Sequence, residues 1–359
     1  MRSGEAVHII APHEVIHEVI DVREPTSNSG YTGARTYAER PSNRSEPHLA
    51  LFLSNDDVRA LLPMKECVDV LDDLFKQHAR GLVDNRPRER LRFPDSPWTA
   101  TLMGGTVLSE DAIGLRTSSV TLMYNTKSGK LDGVIEPGNM AWIRTGAASG
   151  LAAKYMSKPN ASVVGVFGTG RQAVTQVEGI AAVRDVSLVK VYSRDEANRT
   201  KFADTMRERT GLEIVGVGTP DECVQGSDIV VTITSASQPV FDGHLLEPGQ
   251  CVIAAGVNSW QKREIDETTI QRATLIAVDN LDNAKAECGE LIWAAERGWF
   301  RWTTPVELSA IVSGAVDGYP SPDAITLFES QGVGMEDVAA SAHILKKARA
   351  RGVGIELPF

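Results

Sequence analysis

Gly168, Gly170 and Ala173 stand in the spacing G-x-G-x-x-A, directly after the apolar and largely β-branched run Ser162 to Phe167. A run of that kind reads as a strand buried on both faces. Gly168 permits a tight turn, Gly170 lets backbone approach a pyrophosphate, and Ala173 lets the following helix pack closely with its N-terminal N–H groups facing the anion. The spacing alone is weak evidence. Its setting decides the reading, because a helix is predicted over Gln172 to Val183 and a second strand over Ser187 to Tyr192. The expected chemistry is dinucleotide binding, with Gly168, Thr169, Gly170, Arg171 and Gln172 around the phosphates. The second strand ends in Tyr192-Ser193-Arg194 with no acid to accept from a ribose 2′-OH. Ser193 and Arg194 suit a 2′-phosphate instead, which predicts NADP(H) over NAD(H), with Asp195 the one residue that would serve NAD.

These residues need a scaffold, and the chain has room for one. With 359 residues it is long enough for two cores. Its 37 basic and 47 acidic residues give a net charge of −10, which argues against nucleic acid or an anionic membrane as partner. The apolar runs are too short for a transmembrane helix and the first residues lack a signal peptide's apolar core, so a cytoplasmic location is expected. Cys67, Cys223, Cys251 and Cys288 lie far apart with no ligand spacing, so no metal site and no disulfide framework is indicated.

Residues 1–47 read as an N-terminal extension, with a modest apolar patch from Val7 to Ile20 and then a Ser-, Arg-, Gly- and Pro-rich run that cannot build a core. A strand over Leu49 to Leu53, a cap at Ser54 to Asp57 and a helix from Met64 to Ala79 follow. Arg86 to Phe93 packs four arginines into an extended stretch. Strands are expected over Trp98 to Met103, Ile113 to Met123 and Leu131 to Glu136, with turns at Gly104-Gly105 and Asn125 to Lys130, as an antiparallel sheet. Arg116 alternates with Leu115 and so points to the opposite face. The Ala-rich segment Trp142 to Tyr155 is helical and places Arg144 and Thr145 at a domain junction, where clefts lie. From Ser162, strands over Val163 to Phe167, Val189 to Tyr192, Glu213 to Val217, Ile229 to Thr234, Cys251 to Ala254 and Thr274 to Val278 alternate with helices. The fold class is therefore α/β, a doubly wound parallel sheet. Ligand belongs at the carboxyl ends of its strands, which adds Thr234, Ser235 and Gly256 to Asn258. A turn at Ser330 to Gly334 and a helix from Met335 to Ala350 lie outside the alternation.

Seven segments in order, among them PRERL at Pro87, IGLRTSS around Arg116, IRTGAAS around Arg144, GTGRQA at Gly168, GVNSWQKREID at Gly256, AECGEL around Glu287 and ITLFESQGVGMEDVAA at Ile325, resemble the ornithine cyclodeaminase and mu-crystallin family over about Leu49 to Gly352. The resemblance implies a Rossmann-type nucleotide domain over 147–325 beside an α+β substrate-binding and dimerisation domain over 48–146, to which 326–359 returns. It implies a nicotinamide cofactor, a homodimer, and a substrate carboxylate held by Arg88 and Arg144. It adds Arg144, Thr145, Lys262 and Ser330 to the cofactor site. Where the family usually has a lysine at the reacting carbon this chain has Arg116, which binds or polarises but is a poor proton shuttle. Where cyclodeaminases have an aspartate it has Asn258, which cannot exchange a proton.

Both departures fall on residues that define the cyclodeaminase reaction. The expected function is therefore hydride transfer between the nicotinamide and the imine or amino-bearing carbon of a small amino-acid-like carboxylate, with Arg116 and Asn258 at the reacting carbon. A true ornithine cyclodeaminase is the alternative and needs an acid or base from Asp266, Glu264 or elsewhere. A non-enzymatic binder of reduced cofactor and a small carboxylate is the third reading.

Overall fold

The computed structural model describes residues 48–92 and 94–358; the expected extension over 1–47, with its Val7 to Ile20 patch, lies outside them. The strands are β1 (Leu49–Leu53), β2 (Val83–Arg92), β3 (Thr99–Val107), β4 (Ala112–Thr117), β5 (Thr121–Asn125), β6 (Leu131–Ile135), β7 (Val163–Phe167), β8 (Leu188–Tyr192), β9 (Ile214–Gly216), β10 (Ile229–Thr232), β11 (Cys251–Ala254), β12 (Leu275–Val278), β13 (Val306–Glu307), β14 (Thr326–Glu329) and β15 (Ile355–Pro358). Among the described residues they form a seven-stranded sheet in the order β15-β1-β6-β5-β4-β3-β2 and an eight-stranded sheet in the order β13-β12-β14-β11-β10-β7-β8-β9. Neighbours in the second sheet are all parallel. Its core strands are continuous apolar runs, as burial on both faces requires. The strand order reverses direction at β7 and β10, so the crevice for a ligand lies at their carboxyl ends.

The first sheet departs from the expectation in four places. It is antiparallel except for β1 and β6, which run parallel. The run expected as one strand from Ile113 to Met123 is a hairpin, closed where Thr117 N donates to Val120 O at 2.8 Å. Gly104 and Gly105 make no turn; they sit inside β3, where a Cβ on Gly105 would lie 2.9 Å from Met335 Cα and one on Gly334 would lie 2.4 Å from Gly104 O. The carboxyl end of the chain adds β15 against β1.

The expected division of the chain shifts as well. Thr326–Glu329 pairs between β11 and β12, so 326–329 belongs to the nucleotide sheet, and it is the helix Gly334–Arg351 with β15 that returns to the first. A single helix, Pro137–Met156, runs through the expected boundary at 146. It packs backbone to backbone on the helix Arg171–Ala181. A Cβ on Gly146 would lie 2.1 Å from Thr175 O, and one on Gly179 would lie 1.9 Å from Gly146 O. Only glycine permits that approach, and it ties the first sheet's helix to the first helix of the nucleotide sheet.

Candidate active site

At the carboxyl end of β7, Gly168 has φ +116°, and a Cβ there would meet Ile233 O at 2.5 Å. Both facts exclude a larger residue. Gly170 is the N-cap of the helix Arg171–Ala181, no side chain caps that helix, and nothing lies within 4 Å of where a Gly170 Cβ would be. An uncapped first turn with open space in front is what a pyrophosphate needs. Arg171 is exposed and stacks on Trp142 at 5.3 Å. At the end of β8, Ser193 Oγ donates to Asp195 O, while Arg199 binds Ser193 O and lies over Tyr192. Asp195 accepts from Asn198 N at 2.8 Å as the N-cap of the next helix. Arg194 is exposed and, among the described residues, makes no ion pair.

Beside this crevice lies a cleft of about 400 Å³ lined by Arg88, Arg90, Arg116 and Arg144 together with Thr145, Gln172, Gly256, Asn258 and Ser330. Two helix ends and the loop after β14 supply the arginines' supports. Arg88 and Arg90, on β2, both pair with Glu287; Arg88 Nη2 also donates to the carbonyls of Gln331 and Gly332 at 3.1 and 3.0 Å, and Arg90 Nη2 to Asn258 O at 2.8 Å. Arg144 donates from Nε to Asp337 and from Nη1 to Glu336, both at 3.1 Å, and to Thr145 Oγ1 at 2.8 Å. Arg116, on β4, reaches Asp337 at 3.4 Å and Met103 Sδ at 3.5 Å. Burial pulls the Arg88 guanidinium down, partly offset by Glu287. Burial works against the Arg144 charge too, but Asp337 and Glu336 outweigh it and its pKa is raised. Four buried polar atoms around the cleft have no partner among the described residues: Arg116 Nε, Ser330 Oγ and both amide atoms of Gln331. Buried polar groups are normally paired, so these atoms have bonding capacity to offer a ligand.

A sequence model of the ornithine cyclodeaminase/mu-crystallin family matches residues 49–352. The chain belongs to that family. It is 28% identical to a Delta(1)-pyrroline-2-carboxylate reductase of Bacillus cereus over 325 residues, covering 86% of this chain and 100% of that one. Its fold superposes on the Thermococcus litoralis Delta(1)-pyrroline-2-carboxylate reductase in complex with NADH and L-proline with a TM-score of 0.82, at 27% identity over 86% of this chain and 100% of the other. An archaeal alanine dehydrogenase dimer with bound NAD gives a TM-score of 0.80 at 28% identity over 87% of this chain and 99% of the other. The Rossmann-type α/β fold expected from the motifs is thus shared with these relatives, and they are reductases and dehydrogenases of imino and amino acids.

Against the family pattern, Arg88, Arg144, Arg116, Asn258, Thr145, Gln172 and Ser330 come together at the cleft. Thr234 lies at the carboxyl end of β10, where its N and Oγ1 both donate to Glu264. Ser235 is exposed. Lys262 is exposed and does not line the cleft. Neither acid offered as a stand-in base reaches it. Asp266 caps the helix Glu267–Arg272 and binds Gly243 N. Glu264 is fully buried and accepts from Thr234, Gly256 N and Thr232. Burial pushes its pKa up, against those hydrogen bonds.

The sequence reading missed Arg90, Glu287 as its partner, and Gln331. Arg90 follows Arg88 by two residues on one strand, a spacing that puts both on one face. Gln331 follows β14, and the strand-end rule would have found it had β14 been recognised. Cys288, Glu290 and Glu329, expected to hold no metal, bring ligand atoms within 4.8 Å of one another in the interior. Burial pushes Glu290 up to about 7 and raises Cys288 and Glu329.

Proposed function

We propose that this protein is an NAD(P)-dependent imine reductase or amino acid dehydrogenase, transferring hydride between the nicotinamide and the imine or amino-bearing carbon of a small amino-acid-like carboxylate. The observation that carries this reading is the chemistry of the cleft lining: four arginines and, among the described residues, no group that exchanges a proton near neutral pH. A cyclodeaminase must move protons at the reacting carbon; a reductase need only orient and polarise. The bound cofactor supplies or accepts the hydride. Arg88 and Arg144 hold the carboxylate with their charge and with the donors beyond those already bonded to Glu287, Asp337, Glu336, Thr145 and the carbonyls of Gln331 and Gly332. Arg116 and Asn258 lie at the reacting carbon, and the imine brings its own proton.

For the cofactor we propose NADP(H), supported by Arg194 standing exposed at the end of β8 while Asp195 is occupied as a helix cap. The first sheet serves substrate and dimerisation. Its outer face exposes Leu91, Leu102, Ile113 and Leu115, which adjacent register places side by side, and an apolar patch of that kind suits a second copy of the chain. No helix among the described residues is long and apolar enough to cross a membrane.

The test follows absorbance of reduced cofactor with a panel of 2-oxo acids plus amines. Net consumption is expected. Ammonia release from ornithine without net consumption would identify a cyclodeaminase, and neither signal would leave a binding protein.

A further inference from the structure

Four guanidiniums are more than one carboxylate needs. They form two bridged pairs: Arg88 and Arg90 share Glu287, and Arg116 and Arg144 share Asp337. One shared carboxylate leaves a surplus positive charge in each pair. Glu336, the further partner of Arg144, offsets it less than Asp337 does, because it is fully buried and burial pushes its pKa up to about 8. Asp279 lies deeper, its oxygens accepting from the backbone N–H groups of Asn280, Gln331 and Gly332, and its charge acts on Arg144 as well, so four guanidiniums face three well-placed carboxylates. Each pair also has a deep and an outer member: the side chains of Arg88 and Arg144 are 5% and 4% exposed, those of Arg90 and Arg116 25% and 21%. Among the described residues the outer members keep donors uncommitted, and Arg116 Nε is buried without a partner.

We propose that the substrate is a 2-imino dicarboxylate, with its first carboxylate on Arg88 and Arg144 and its second on Arg90 and Arg116. The inference rests on the reductase reading above. A protonated monocarboxylic imine is neutral overall and gains little from a cleft with surplus positive charge. A dicarboxylic one carries a net negative charge and answers both pairs. The step balances without an enzyme acid. Hydride adds to the imine carbon, the C=N π pair stays on nitrogen beside the proton it brought, the nicotinamide ends oxidised, and the amine takes a further proton from water.

The test measures kcat/KM on the full chain with reduced cofactor and ammonia, comparing oxaloacetate and 2-oxoglutarate with pyruvate and 2-oxobutyrate. A second readout is the rise in melting temperature given by succinate against that given by butyrate, with oxidised cofactor present. A diacid preference on the order of 100-fold is expected, the value of one well-formed bidentate charged contact. Arg90→Gln and Arg116→Gln should each cut that preference about tenfold and erase the extra succinate protection, while Arg90→Lys and Arg116→Lys, which keep the charge, should restore part of both. Equal use of monoacids and diacids by an active reductase would overturn this inference and leave the proposed function standing. Absence of cofactor consumption in every arm would overturn the proposed function, and this inference with it. A diacid preference unchanged in both glutamine variants would overturn the assignment to Arg90 and Arg116.

Discussion

In the cleft, Arg144 is almost wholly buried and spends its donors on two carboxylates and a threonine, whereas at the end of β8 Arg194 stands exposed with no ion pair among the described residues. The first guanidinium is part of the interior and the second is open to solvent. A substitution in the cleft therefore removes structure together with chemistry, and one at Arg194 removes recognition alone. On the proposed function, the contrast separates a residue that holds substrate from one that chooses the cofactor by what each costs the apo protein.

The largest effect is expected from Arg144→Ala. It leaves Asp337 with only Arg116, at 3.4 Å, and Glu336 with no guanidinium donor, and losing one partner of a buried pair costs about 3–5 kcal/mol. Urea unfolding should show that loss beside a collapse in kcat/KM; a fully stable but inactive variant would break the comparison. Arg88→Ala comes next, since Glu287 keeps Arg90 as a partner. A drop in kcat/KM of roughly 10- to 150-fold is expected, from the loss of a charged hydrogen bond of about 1.5–3 kcal/mol. An unchanged kcat/KM would remove Arg88 from the carboxylate role.

A pH series sharpens the same contrast. Burial raises Glu336 to about 8, Glu290 to about 7 and Asp279 to about 6. A carboxyl with a raised folded pKa binds more protons folded than unfolded between its two pKa values, so it stabilises most below the unfolded value and loses that contribution as pH rises through the folded one. Stability should therefore fall between about pH 5 and 8, and Glu336→Gln should flatten the upper part of that slope. Urea midpoints at either end of the window measure it, and a parent protein that gains stability across the window would contradict the assignment. Arg194→Ala should weaken NADP(H) binding about tenfold, near 1.4 kcal/mol, leaving NAD(H) affinity and melting temperature unchanged. Unaltered NADP(H) affinity, or a preference of the parent for NAD(H), would end the cofactor proposal. The smallest effect is expected from Asn258→Asp, which should leave cofactor affinity intact; loss of that affinity would show that Asn258 is misplaced.

Much of this was legible in the residues because the nucleotide sheet is built from local patterns. The buried runs that become β7, β10 and β11, and the glycines at 168 and 170, each carry their reason within a few positions. The first sheet was less legible. Gly104 and Gly105 look like a turn until the helix from Gly334 is laid across them, a contact some 230 residues away in the chain. β14 was hidden for a related reason: four residues between β11 and β12 become a strand only because two parallel neighbours are waiting for them. The cleft shows the same limit. Arg88 and Arg144 were found through family resemblance, but Glu287, which couples Arg88 to Arg90, is nearly 200 positions distant and visible only in three dimensions.

The glycine contact between the helices Pro137–Met156 and Arg171–Ala181 sets a limit on how this site can change. One helix carries Arg144 and the other presents its uncapped first turn to the phosphate crevice. At Gly146 and Gly179 main chain lies against main chain, and a larger residue at either position would force the helices apart. The spacing from Arg144 to the glycine turn at Gly170 is thus a fixed gauge. On the proposed function, a longer or shorter substrate must be accommodated on the other wall of the cleft, strands β2 to β4, where Arg90, Met103 and Arg116 can be exchanged without altering that gauge.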